Sequence, residues 1–363
     1  MIGIVTITDG FNYGNRLQNY AVQTVLEDIG ADSATIFLKM TNKRKLKNLI
    51  KRLLGMQKQS PALKKRSESF SLFNKENLRM VRVGRNALPK LDKRLDYAVC
   101  GSDQVWNFNF GQIKYFPYFY FAEFVEKEKR VALSASIGTN NVPDDCIDAF
   151  VEGINGMKSI SVREERGSEI IKKLADRDVP VTVDPTLMLS REEWKKVEKK
   201  PSFVKDGEKY ILTYFLGGFS KEVRDYVELT AQKSGLKIID LYYEWTNENE
   251  IGNSDWFAAG PAEFVWLIDH CELLMTDSFH GCIFSIINKV PFRCFERYGN
   301  KAADMSSRMT TLFGKLDINS WCWGDISEDV DRVFYSDYSS TDEKIEKEKK
   351  FAYDYLKGAL NIK

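Results

Sequence analysis

Residues 2–28 read IGIVTITDGFNYGNRLQNYAVQTVLED. Residues 2–8 form an apolar, β-branched run, the composition of a strand covered on both faces. From 16 to 28 the apolar residues return at helical spacing. The turn between them is rich in glycine and asparagine, which tolerate tight backbone, and the free N–H groups of the next helix can hold an anion there. Strand, polar turn and helix together open a parallel α/β unit. The same alternation continues outward, with strands expected at Tyr97–Cys100, Val131–Ser136, Ser159–Val162 and Val181–Val183. A charged stretch at 199–208, KKPSFVKDGE, reads as a linker. Beyond it come strands at 210–215, 237–241, 272–276 and 292–295, interleaved with helices at about 220–233, 261–270 and 279–288. The expectation is an α/β protein of two Rossmann-like domains facing a cleft, 1–198 and 199–330, with 331–363 a helical tail packing back on the body.

The length of 363 residues fits two domains. Lys plus Arg number 53 against 52 Asp plus Glu, so no charge excess marks a dedicated nucleic-acid binder. No apolar run approaches the roughly 18 residues of a membrane span, and Met1 leads at once into a strand. A cytoplasmic protein is expected. Six cysteines without a C-x-x-C pair read as reduced core residues. There are only two histidines, His270 and His280, so a His-rich metal site is excluded and imidazole chemistry falls on one of them.

In open parallel sheets ligands bind beyond the carboxyl ends of the strands. Asn15 and Arg16 follow the first strand. Gly101, Ser102, Asp103, Gln104, Trp106 and Asn107 follow the strand ending at Cys100. There Asp103 could accept a proton from a hydroxyl and Trp106 could stack on a sugar ring, the plainer reading being a helix cap and a core tryptophan. Arg163 can fork onto a carboxylate or phosphate, or pair with Glu164 or Glu165. In Asp184-Pro185-Thr186 the proline fixes a turn. Gly217 and Gly218 let a ligand approach backbone. Asp277 or Ser278 caps a helix whose first turn holds His280, where an anion beside the imidazole is favoured. His270 reads as a helix C-terminal residue. Arg308 adds a cation in a polar loop. The aromatic stretch from Trp106 to Phe124 is core in part, with any exposed subset a sugar-binding wall or a partner surface. From Lys39 to Arg66 there are eleven basic residues and no acid. Leu46, Leu49, Ile50, Leu53 and Leu54 are spaced there as on a helix lying on anionic lipid, or as on a surface helix packed on its own domain.

These motifs, in order, resemble the polysaccharide pyruvyl transferase family: NYGNRLQNYAV at 12–22, VCGSDQVWN at 99–107, SASIG at 134–138, SVRE at 161–164, VDPTLML at 183–189, TDSFHG at 276–281 and SSR at 306–308. The resemblance implies a glycosyltransferase B architecture and phosphoenolpyruvate as co-substrate. It implies a cyclic pyruvate ketal built on a sugar or lipid-linked oligosaccharide acceptor, as in cell-surface polysaccharide synthesis. No other cofactor, no metal and no nucleic acid is implied. It makes His280 the acid or phosphate clamp, Arg163 the donor's anion holder, Asp103 the acceptor-side base and Trp106 its stacking partner. Gly217, Gly218 and Ser278 would touch the donor. Many members carry an R-x-H arrangement where this chain has Ser278-Phe279-His280, so cationic charge would come from Arg163, Arg16 or Arg308. The location expected is cytoplasmic, and the lipid reading of the basic segment would make the protein peripheral on the inner membrane face through 43–66. A nucleotide-sugar glycosyltransferase using Tyr242, Tyr243, Glu244 and Trp245, and a non-catalytic glycan-binding protein, are the alternatives.

Overall fold

A computed structural model describes residues 1–8, 10–39, 61–218, 220–242, 254–298 and 306–362. The first sheet has the order β3-β2-β1-β4-β5-β6, built from β1 (Ile2–Val5), β2 (Ser33–Leu38), β3 (Met80–Val83), β4 (Tyr97–Cys100), β5 (Arg130–Ala135) and β6 (Ser159–Val162). The second has the order β10-β9-β7-β8, from β7 (Tyr210–Phe215), β8 (Lys237–Tyr242), β9 (Leu273–Thr276) and β10 (Phe292–Cys294). All recorded strand pairings are parallel. Central strands such as β1 and β9 are buried at every residue because helices cover both faces. The expected strand at 181–183 is instead a single bridge between Val162 and Val181.

Strand order in the first sheet reverses between β1 and β4, so the turns after these strands border the switch-point crevice. After β1 the chain enters α1 (Tyr13–Asp28), capped by the Asn12 side chain accepting from the Asn15 amide. Residues 13–19 of α1 are all buried, because the helix packs on both sheets' layers. Tyr13 shows this: its ring stacks on Phe264 at 4.5 Å and on Phe70 at 5.4 Å, and its hydroxyl donates to the Ala259 carbonyl. Phe70 lies in α2 (Pro61–Asn77), α3 is Ile147–Asn155, and α4 (Glu165–Ala175) follows β6. A short helix, α5 (Pro185–Met188), lies beside α1. In the second half come α6 (Lys221–Ser234), α7 (Ser254–Ala258), α8 (Pro261–Asp269), α9 (Phe279–Asn288) and α10 (Ser306–Leu316). All but one residue of α9 are buried, as a helix apolar all round requires.

The last helix, α11 (Thr341–Ala359), is fastened to both halves. Lys315 pairs with Glu348 at 2.7 Å on the second half. On the first, the Tyr353 and Tyr355 hydroxyls donate to Asp28 and to the Ala132 carbonyl, and the Lys158 ammonium donates to the Ala359 carbonyl at 2.8 Å. Among the described residues no helix is long and apolar enough to cross a membrane. All six cysteines are buried.

Candidate active site

The carboxylate of Asp184 is the node of the site. Asp184 is the N-cap of α5, and one of its oxygens accepts from the Thr186 amide and hydroxyl at 2.9 and 2.6 Å. Its other oxygen accepts from the Ser102 hydroxyl after β4 and from Arg163 Nη1 after β6 at 2.6 Å. The same oxygen faces His280 Nε2 from the second half at 3.7 Å, charge-pair range but beyond a hydrogen bond. Burial works to raise this carboxyl, but His280, then Arg163 and Ser102, outweigh it and hold it well below the usual carboxylate range.

His280 sits in the first turn of α9, whose Ser278 cap accepts from the Gly281 amide at 3.2 Å. Its ring lies against Gly14 of α1, where any Cβ would come within 2.1 Å of Nδ1. One half therefore supplies the imidazole and the other its floor and its counter-charge.

Around this core, buried polar atoms stand without hydrogen-bond partners: Arg163 Nε and Nη2, Arg308 Nε, His280 Nε2 and Glu164 Oε2. The other oxygen of Glu164 is fixed by the Ser136 hydroxyl and the amides of Ile137 and Gly138 at 2.8–3.0 Å. The register of β5 against β6 shifts between Ala132 and Ala135, where Ser134 takes φ +50°, and this irregularity aims the 136–138 loop at Glu164. Arg308 is buried in the first turn of α10. Burial, then the charges of Arg163 and Arg297, push its guanidinium down to about 9. Donors and cations thus outnumber the acceptors in a water-poor space, the electrostatics of an anion site.

Residues 12–298 match the polysaccharide pyruvyl transferase family. The chain belongs to that family. No curated protein matches it in sequence. Among solved structures, it resembles the UDP-GlcNAc 2-epimerase of Methanocaldococcus jannaschii, with a TM-score of 0.53 and 11% identity over 95% of this chain and 98% of that one. A Listeria monocytogenes protein described as a UDP-N-acetylglucosamine 2-epimerase gives 0.50 and 8%, over 98% and 89%. At these identities the likeness shows the fold alone, the glycosyltransferase B architecture.

In this pyruvyl transferase family member, several expected contacts are placed differently. Trp106 is fully buried, stacked on Phe121 at 5.3 Å with its indole N–H on the Tyr120 carbonyl, so it cannot stack on a sugar. Phe108, Phe119, Tyr120, Phe121 and Phe124 of the aromatic run are buried as core while Tyr115 and Phe110 are exposed, and the buried subset decides the tryptophan's place. Trp106→Phe is expected to cost about 1–3 kcal/mol of stability, by leaving that carbonyl only the Cys100 thiol and a void where the indole stood, with no change in ligand response, in paired melting and binding measurements. Asn107 donates to Gln104 Oε1 at 2.7 Å and accepts from the Asn109 amide, so the Asn107 amide and the Gln104 oxygen are spent on their own turn. Asp103 is buried beside them and accepts from the Gln104 amide at 2.7 Å, while its charge still reaches Arg308. Gly101 continues β4 through a bond to the Val5 carbonyl.

Asn15 is buried in the cap of α1, and Arg16 donates to the Gly10 carbonyl at 2.8 Å. Gly217 does not open onto a ligand: a Cβ there would strike Arg297 and the Tyr298 carbonyl. Its amide and that of Leu216 donate to Asp277, which also accepts from Arg297, so Asp277 organises this loop and Ser278 alone caps α9. Gly218, at φ +79°, borders a cavity of about 210 Å³ lined by Phe215, Ser220, Val223, Arg297 and Tyr298. His270 ends α8 as expected, stacked on Trp266 at 4.0 Å. Arg163 pairs chiefly with Asp184, a partner the sequence reading missed by giving the 184–186 turn to its proline. The amphipathic stretch Leu46–Leu54 and Tyr243, Glu244 and Trp245 lie outside the described residues. Arg66, the last residue of the basic segment, is buried against Phe257 and Phe11 rather than facing lipid.

Proposed function

We propose that this protein transfers the pyruvyl group of phosphoenolpyruvate onto two hydroxyls of a sugar, forming a cyclic ketal on a cell-surface polysaccharide or its lipid-linked precursor. The observation that carries this reading is the convergence of His280, Arg163 and Arg308 with unpartnered, buried nitrogens. The donor brings a carboxylate and a phosphate, and these groups would take both. His280, as imidazolium, gives a proton to the donor's methylene carbon while a sugar hydroxyl attacks the adjacent carbon. The carbon–oxygen bond to phosphate then breaks, and the second hydroxyl closes the ketal. Of the two hydroxyl protons released, one restores His280 and the other leaves on phosphate. Asp103 would orient the acceptor from the first half.

A melting scan with millimolar phosphoenolpyruvate tests the donor. A ligand at one hundred times its dissociation constant stabilises the fold by about 2.7 kcal/mol. The expected result is an upward shift in the wild type that His280→Ala and Arg163→Lys both lose. The lysine keeps a positive charge near Asp184 and so protects folding. A shift with a nucleotide sugar and none with phosphoenolpyruvate would replace pyruvyl transfer by glycosyl transfer.

A further inference from the structure

Two arginines from opposite halves meet on one ring. The guanidinium carbon of Arg163, just past β6, lies 4.4 Å from the centroid of Phe279, and that of Arg308, in α10, lies 5.8 Å from it. His280 stands edge-on to the same ring at 5.4 Å. Phe279 is itself only 4% exposed. Among the described residues Arg308 makes no ion pair, and its charge and that of Arg163 repel. A hydrocarbon in this position would leave that repulsion opposed only by the more weakly felt charges of Glu164 and Asp103. The negative face of a phenyl ring attracts both cations, and more strongly where water is scarce.

We propose that Phe279 is a positioning residue that gathers Arg163 and Arg308 into one fork for a dianionic phosphate group. On the donor reading above, on which this rests, the phosphate is that of phosphoenolpyruvate. The ring acts through the arginines and need not touch the ligand. Packing alone predicts that any side chain of the same size serves equally. A cation–ring attraction predicts dependence on the ring's electron density.

The test places mono-, di- and trifluorophenylalanine at position 279, which withdraws ring electron density at nearly constant size. Calorimetry then measures affinity for phosphoenolpyruvate and, separately, for inorganic phosphate, alongside the ligand-free melting temperature. Affinity is expected to fall stepwise along the series, by about tenfold at the trifluoro ring. Phe279→Leu is expected to fall at least as far, and the fluorinated series decides the matter if the leucine variant does not fold. Phosphoenolpyruvate bound with constant affinity across the series overturns the role of the ring and leaves the donor reading standing. Phosphate affinity that follows the series, with no phosphoenolpyruvate binding, does the reverse. Binding of neither ligand by the wild type overturns both.

Discussion

Asp184→Ala is expected to destabilise the protein by about 3–5 kcal/mol, the cost of breaking a buried ion pair by removing one partner. The side chain is wholly buried and gathers Ser102, Arg163 and Thr186 while facing His280. Without it Arg163 keeps only the longer pairing with Glu164, whose second oxygen lies 3.9 Å from Nε while its first is held by three donors. Asp184→Asn keeps the shape and part of the hydrogen bonding, so it should cost less than alanine. The pH dependence has a fixed sign. A carboxyl held below its unfolded value contributes stability that is complete above the ordinary carboxylate range, roughly pH 4, and is lost as pH falls below it. The wild type should therefore lose more stability than either variant on acidification below about pH 4. Denaturant melts at several pH values check both statements. A loss under about 1 kcal/mol for alanine at neutral pH would show that the node does not hold the fold.

The second large effect is expected at Gly14. Alanine is the better helix former by about 0.5–1 kcal/mol, so substitution inside α1 should stabilise if nothing opposed it. Here the added carbon would stand 2.1, 2.6 and 2.7 Å from three atoms of the His280 ring. The ring must move by an ångström or more, away from its place opposite Asp184. Gly14→Ala is expected to weaken phosphoenolpyruvate binding at least about tenfold, as for a lost charged contact. A displacement of this size can slow transfer by about a hundredfold. With two histidines in the chain, the His280 ring can be followed by magnetic resonance while binding is titrated. Wild-type affinity with an unshifted ring signal would show that α1 yields instead, and that the glycine is not required by the histidine.

The alternation of apolar runs and helical spacing was enough to place β1, β4, β6, β7 and β9, because a strand covered on both faces must be apolar throughout. It missed β2, SATIFL, an inner strand whose serine and threonine interrupt the apolar run, and β3, MVRV, an edge strand that carries an arginine and is mostly half-buried. At the site, His280 and Arg163 were readable because strand ends in parallel sheets are where ligands bind. Asp184 and Glu164 were not singled out as site residues, since their importance comes from elements more than twenty residues away in the chain: Ser102 for one, Ser136 to Gly138 for the other. Gln104 and Asn107 show the opposite. Their polarity drew attention, yet the Asn107 amide and the Gln104 oxygen bond to each other inside one turn.

The final helix bears on how a ligand could reach a site so thoroughly enclosed. Its attachments reach the amino edge of the first sheet: Lys158, just before β6, holds the Ala359 carbonyl, and Asn361 donates to the Tyr97 hydroxyl at the start of β4. Ser102, Arg163 and His280 all lie at the opposite, carboxyl edge. Two covers bound along such a spine separate most at the fore-edge, so a few degrees of rotation near α11 translate into the widest gap beside His280. Admission of substrate by such a rotation would need little rearrangement within either half, and would have to part the aromatic seam in which Tyr13 stacks on Phe70 and Phe264.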